Sequence, residues 1–373
     1  ANDLNDILER HHPAAAACLS DLGRRMFFPK GIPAQAEEAK SARINATIGQ
    51  FTDGRGGAMP LPTLEKHLSG LSNESVFLYS PQGGNKALRQ AWRSHISRPG
   101  DPPSTLPFVT VGLTHGLSLM ADLFTDPDTD VVLPDPGWGN YNLIFGARRG
   151  ARLLRYPVFQ EGKFAGAALA EALKQVRNKA VVVLNFPGNP TGYTPTDAEM
   201  APMLDAISKS DKPIVVLTDD AYTGFVFEPE RLTRSPFFDL CTMDPQRVLP
   251  VKIDGATKEL MYFGARVGFV TFGAEGPAAV ALEDKLKGAA RATVSCAASA
   301  SQAMVLSALR DPNLAHQQAE IIDIARKRYQ ILKSGLAEHN ISTVPFNSGF
   351  FALIPVPGDP NELRRDLLKD GIG

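Results

Sequence analysis

The sequence predicts an α/β chain whose large domain holds a mostly parallel seven-stranded sheet covered by helices, and three observations carry that prediction. Short apolar runs recur between residues 108 and 272. Stretches of helical composition separate them, and several runs end in Gly, Pro or Asp, as buried strands do. The runs are Phe108–Gly112 (FVTVG), Val131–Leu133 (VVL), Arg152–Val158 (RLLRYPV), Val181–Asn185 (VVVLN), Ile214–Thr218 (IVVLT), Val248–Ile253 (VLPVKI) and Val267–Phe272 (VGFVTF). Ala167–Lys174 (AALAEALK) and Asp197–Ser208 (DAEMAPMLDAIS) read as helices between them. Alternation of this kind argues for parallel strands with both faces covered.

The flanks have another character. Residues 1–44 read as helices with a loop, and residues 275–335 as one or more long helices. Asn340–Pro355 (NISTVPFNSGFFALIP) reads as strands. The expected division is a large domain at 46–285 and a small α+β domain built from 1–45 and 286–373. A chain of 373 residues fits two domains at roughly 150 residues each.

Composition narrows the function. Lys and Arg number 39 against 40 Asp and Glu, a formal net charge of −1, so the basic excess of a nucleic-acid binder is missing. With 43% hydrophobic and 21% charged residues the chain is ordinarily globular. Cys18, Cys241 and Cys296 are too few and too scattered for a disulfide framework or zinc cluster, which favours a reducing, cytoplasmic setting. No run of 18 apolar residues spans a bilayer. The opening ANDLNDILERHHPAAAACLSDLG has no basic n-region and does not read as a signal peptide. Its His11-His12 pair has no carboxylate or cysteine cluster beside it and reads as a surface feature.

In open α/β sheets ligands bind beyond the carboxyl ends of the strands. The residues there are Leu113-Thr114-His115, Asp135-Pro136-Gly137-Trp138, Pro187 to Gly192 (PGNPTG), Asp219-Asp220-Ala221-Tyr222 and Gly255-Ala256-Thr257-Lys258. A lysine among apolar neighbours is desolvated and becomes an amine nucleophile. A carboxylate can pair with a cationic ring nitrogen, Asn and Tyr can hydrogen-bond a phenolate oxygen, and Trp offers a flat face. Thr114 at a strand-to-helix turn, with free amides and an arginine, can hold a phosphate. Together these are the demands of pyridoxal phosphate.

The segments NATIG (45–49), LYSPQGG (78–84), VTVGLTHGL (109–117), PGWGNY (136–141), FPGNPTG (186–192), DDAYTGF (219–225) and TKELMYFGARVGF (257–269) occur in that order. In wording and order the chain resembles the fold-type-I, class I aminotransferases of the aspartate/aromatic branch, whose cofactor is pyridoxal 5′-phosphate. The resemblance spans nearly the whole large domain. It implies that Lys258 joins the cofactor as a Schiff base and shuttles a proton. Asp219 pairs with the ring nitrogen, Asn189 and Tyr222 bond the phenolic oxygen, and Trp138 packs on the ring. Leu113 (through its N–H), Thr114 and Arg266 hold the phosphate. Tyr79 reaches the phosphate of a neighbouring subunit, which implies a homodimer with shared sites, and Gly49 lies by the substrate carboxylate. His115 is given no catalytic role.

Three departures bear on these expectations. Gly255 stands where many relatives carry a serine, so a hydrogen bond to charge of about 1.5–3 kcal/mol is missing unless water or Thr257 replaces it. Arg291, in RATVSCAAS, falls at about the place of an arginine that binds a distal carboxylate across the dimer. Cys296 replaces its usual asparagine partner, and a helix-surface arginine is the plain alternative. Relatives also place a second, α-carboxylate-binding arginine beyond the segment resembling NSGFFALIP. The candidates here, Arg364 and Arg365, lie in a solvated-looking ELRRDLLK stretch, which favours a further C-terminal tail.

The expected activity is transfer of an amino group from an acidic or aromatic L-amino acid to a 2-oxo acid, 2-oxoglutarate first. The alternatives are a carbon–sulfur lyase or other β-elimination enzyme of the same fold (cyclopropane-forming synthases included), and a non-catalytic effector-sensing domain. Against the last, residues 1–45 are too short and too little basic for a winged helix.

Overall fold

A computed structural model describes residues 2–27, 32–47 and 49–373. Ile48 of the NATIG segment lies outside the described residues. The seven apolar runs form one sheet: β1 (Phe108–Val111), β2 (Asp130–Asp135), β3 (Arg152–Pro157), β4 (Ala180–Leu184), β5 (Ile214–Asp219), β6 (Val248–Gly255) and β7 (Val267–Phe272). Their spatial order is β1-β7-β6-β5-β4-β2-β3. The β6-β5-β4-β2-β3 stretch is parallel. β7 alone is antiparallel to both of its neighbours, β1 and β6.

Strand pleat divides the side chains between two layers. Val181, Val183, Leu217, Val251 and Ile253 point to one face and pack with Leu117 and Met120 of α2 (Gly112–Phe124). Leu286 and Ala290 of α4 (Gly276–Arg291) close the same cluster, so this helix runs across residue 285 as part of the sheet's cover. Val182, Leu184 and Val216 point the other way, onto Met200, Met203 and Ile207 of α3 (Asp197–Ser208). A capping box between Thr196 and Glu199 fixes the start of α3. On this second face α1 (Lys86–Ile96) buries Trp92, stacked on Phe269 at 4.3 Å between ring centroids.

The terminal segments are helical as expected. Short helices run at Asn2–His11, Pro13–Cys18, Asp21–Arg25 and Ile32–Glu38, and long ones are α5 (Ser299–Arg310) and α6 (Leu314–Glu338). The strands expected over Asn340–Pro355 do not form as a ladder. The backbone there is spent on loop partners: Asn347 and Ser348 donate to the Gly192 carbonyl, and Gly349 to that of Phe225. One isolated bridge, Val226 to Ser348, is present, with backbone bonds from Phe227 to Asn347 and from Val344 to Leu353. Gly349, at φ +68°, turns the chain between them.

Candidate active site

The carboxyl ends of the strands meet at one cleft of about 430 Å³, its open mouth included. β1 leads into α2 through Gly112, whose φ is +73°. A Cβ there would stand 2.5 Å from Arg266 Nη2, so only glycine lets the guanidinium come this close. No side chain caps the first turn of α2. Its leading amides, beside Leu113 and Thr114, therefore face the cleft as an anion site with Arg266.

Asp219 ends β5 and is buried. Tyr141 donates its hydroxyl to Oδ2 at 2.6 Å, and Oδ1 is buried with no partner. Burial pushes this carboxyl up to about 6, opposed by the Tyr141 hydrogen bond and the charge of Lys258. Asn185, at the end of β4, donates to the Asp219 carbonyl at 2.7 Å and accepts from the Asn189 amide at 2.7 Å. Asn189 Nδ2 in turn donates to the Tyr222 hydroxyl at 3.3 Å.

Lys258 lies in the Ala256–Glu259 turn that follows β6. Its Nζ is 4.8 Å from the centroid of the Tyr222 ring. Burial lowers its pKa and the Arg266 charge adds to this, against the pull of Asp219. More of the amine is thereby neutral and nucleophilic at a given pH. Next to it, Thr257 presents a buried hydroxyl with no partner.

These residues fit pyridoxal phosphate. The vacant Asp219 Oδ1 is the acceptor that a protonated ring nitrogen needs, and the cleft adds a softened amine, two donors for a phenolic oxygen and an anion corner. Trp138 also lines the cleft, edge-on to Tyr141 at 5.4 Å.

Of the expected site residues, Leu113, Thr114, Trp138, Asn189, Asp219, Tyr222, Lys258 and Arg266 line this one cleft. Tyr79 does not; it is 95% exposed, beside Phe77 and Leu78, which are also exposed. Gly49 lines a neighbouring cavity, where its missing side chain makes room for Phe351, whose Cζ would be 2.5 Å from a Cβ. Arg291 ends α4 on the surface and donates to Ser295 Oγ at 2.7 Å, outside the cleft. Arg364 pairs with Glu38 at 2.6 Å. His115 accepts from the Val111 amide at 3.1 Å and meets Thr293 Oγ1 at 3.2 Å, a structural tie at the foot of α2.

Tyr141 and Asn185 are absent from the expected set. Each sits at the edge of a recognised segment, yet their partner Asp219 is 78 and 34 residues away, so no local signal marks them. Gly255 also has a steric reason: a Cβ there would stand 2.6 Å from the Val267 carbonyl oxygen and 2.7 Å from Gly268 Cα. A serine does not fit this corner as it is packed.

The aminotransferase class I and II family matches residues 42–372. A probable N-succinyldiaminopimelate aminotransferase of Mycobacterium tuberculosis is 29% identical over 247 residues, 64% of this chain and 58% of the relative. An aspartate aminotransferase of Sulfurisphaera tokodaii is 24% identical over 358 residues, 93% of this chain and 82% of its own. The chain thus spans less than two thirds of the Mycobacterium relative. A crystal structure of an aminotransferase from Anaerococcus prevotii shares the fold, with a TM-score of 0.84 at 21% identity, over 94% of this chain and 90% of that one. The aspartate aminotransferase of Thermus thermophilus with maleate gives a TM-score of 0.75 at 20% identity, over 95% and 90%. By the match across residues 42–372, the chain belongs to the aminotransferase class I and II family, whose cofactor is pyridoxal 5′-phosphate.

Proposed function

We propose that the protein transfers the amino group of an L-amino acid, acidic or aromatic, to a 2-oxo acid, with 2-oxoglutarate as acceptor. The observation that carries this reading is the pairing in one cleft of an amine whose pKa burial lowers, Lys258, with a buried carboxylate oxygen, Asp219 Oδ1, that has no partner among the described residues. Pyridoxal phosphate bound there supplies an electron sink for negative charge developing at the donor's Cα.

The chain's own residues do the rest. Asp219 would accept a hydrogen bond from the ring nitrogen and hold the proton on it. Tyr141 and Asn185 fix the Asp219 carboxylate and backbone, so that it meets the ring without reorganising. Asn189 and Tyr222, hydrogen-bonded to each other, would both donate to the phenolic oxygen. Lys258 would hold the cofactor through its amine, and the same amine would carry the proton at the donor's Cα. Leu113 N–H, Thr114 and Arg266 would hold the phosphate, with Trp138 offering the ring an apolar face in the same cleft.

A homodimer completes the site in this reading. The exposed run Phe77-Leu78-Tyr79 supports it, with Tyr79 reaching the phosphate held by a second copy. Arg291 supplies the contact to a distal carboxylate across the same boundary, and Gly49 lies by the donor carboxylate. The large domain expected at 46–285 extends in this reading to the end of the helix Gly276–Arg291, which covers the sheet, and the terminal segments expected at 1–45 and 286–373 make the small one from beyond that helix. Three unpaired cysteines favour a cytoplasmic setting.

The test is the half-reaction. Loaded protein mixed with a single amino acid and no acceptor should convert to the pyridoxamine form stoichiometrically and release the 2-oxo acid. Ammonia release with the aldehyde form regenerated would instead identify an elimination enzyme.

A further inference from the structure

A lysine sits inside the central sheet, away from the cleft. Lys252 of β6 has a side chain only 3% exposed. Its Nζ lies 2.5 Å from Asp220 Oδ2 and 3.1 Å from Asp254 Oδ2, and both carboxylates are as buried as the lysine. Thr218 Oγ1 donates to the same Asp220 oxygen at 3.2 Å, and Trp92 Nε1 donates to Asp254 Oδ1 at 3.1 Å. Behind Asp254, His95 meets Glu259 at 2.5 Å and packs on the Trp92 ring.

Burying three charges does not strengthen a sheet. Well-packed apolar side chains of similar volume serve stability as well or better. The arrangement has a geometric meaning instead. Asp220 follows Asp219 in the chain, and strand alternation sends the two carboxylates to opposite faces of the sheet. Asp254 precedes Lys258 by four residues, and the Asp220 amide donates to the Ile253 carbonyl at 2.9 Å. One ammonium therefore ties the segment that carries Asp219 to the segment that carries Lys258.

We propose that Lys252 is a positioning residue for the cofactor site: it holds Asp220 on the far face of the sheet and balances its charge, so that Asp219 presents an ionised carboxylate to the cleft. This rests on the cofactor reading above and extends it to a residue that touches neither cofactor nor substrate. The Asp220 charge works against ionisation of Asp219, and Lys252 lies on Asp220 to offset it. Other groups facing Asp219 are Lys258, Tyr141 and Tyr222; those facing Lys252 are Asp220 and Asp254, with Glu259 and His95 beyond.

The measurement is the pH dependence of pyridoxal phosphate affinity, followed by fluorescence quenching on protein stripped of cofactor. Affinity falls on the acid side as Asp219 takes a proton. Lys252→Met removes the balancing cation and should move that acid limb up by about half a pH unit or more, while Asp220→Asn should move it down by a similar amount. Opposite shifts are a signature that a purely structural role does not produce. Limbs that stay in place, or move in the same direction, overturn the inference. If Lys252→Met does not fold, Asp220→Asn decides alone, and an unmoved limb there overturns it. A wild-type chain that binds no cofactor at any pH overturns the cofactor reading and this inference together; normal binding with unmoved limbs overturns only the inference.

Discussion

Tyr141 donates its hydroxyl to one oxygen of Asp219 at 2.6 Å while the other oxygen, also buried, has no hydrogen-bond partner among the described residues. The carboxylate is half satisfied by the protein and half left for a ligand. An unpaired buried acceptor is costly by about 1–3 kcal/mol, and a protonated ring nitrogen relieves it.

Removing the protein's half should weaken the ligand's half. Tyr141→Phe deletes a hydrogen bond to the charged form, so the Asp219 pKa rises further above about 6 and the carboxylate is less often ionised. Cofactor affinity at neutral pH should drop by about 1.5–3 kcal/mol, roughly 10- to 150-fold. Equilibrium dialysis against pyridoxal phosphate measures it. Unchanged affinity would remove Asp219 from the proposed role.

Lys258→Ala should leave the fold intact, since it deletes a half-buried amine whose charged form is disfavoured by its surroundings. Turnover should vanish. Borohydride treatment of the loaded wild-type protein should fix the cofactor on the peptide carrying residue 258, and mass spectrometry should find no such adduct in the variant. Residual turnover near the wild-type rate would refute the assignment.

The cofactor's stabilising effect should grow with pH. In the cofactor-free protein burial raises the Asp219 carboxyl from 3.8 to about 6. The native state then holds a proton that the unfolded chain has released. Its contribution is fully present below the unfolded value and is lost as pH rises through about 6, roughly 3 kcal/mol in all. A cationic ring nitrogen reverses this by favouring the ionised form. Scanning calorimetry should therefore show a larger rise in Tm on adding cofactor at about pH 8 than at about pH 5. An equal or smaller rise at the higher pH contradicts the pairing.

Thr257 brings to the cleft a second hydroxyl besides that of Thr114, buried and without a partner among the described residues, where residue 255 has none to offer a phosphate. Thr257→Val keeps the shape and removes the donor. Affinity for pyridoxal phosphate should fall about tenfold or more, as for a hydrogen bond to charge, while affinity for pyridoxal, which has no phosphate, should not move. Thr257→Ser should restore binding. Gly255→Ser should weaken it, because the added side chain meets the Val267 carbonyl and Gly268. Equal losses with both ligands would show that Thr257 only packs.

Most of the sheet and most of the cleft were legible in the sequence because both are written locally. Each buried strand is a compact apolar run, and Lys258 with Arg266, or Asn189 with its glycines, sit in short segments whose order carries the resemblance. What escaped depends on partners far away in the chain. Tyr141 matters only through Asp219, and Lys252 within VLPVKI looks like any polar residue in a strand until Asp220 and Asp254 close on it. Asn340–Pro355 has strand composition, yet its backbone groups find loops at Gly192 and Phe225 before they find a ladder.

Gly112, Gly255 and Gly268 meet beneath the anion corner, and at each a Cβ would stand less than 3 Å from a neighbouring atom. In a saturation-mutagenesis map these positions should stand out as an intolerant island, even though none of them carries a reactive group. Phe350 and Phe351, which pack edge-on to Tyr222 and line the neighbouring cavity, lie outside that island, and a directed-evolution library aimed at new donors is better concentrated there.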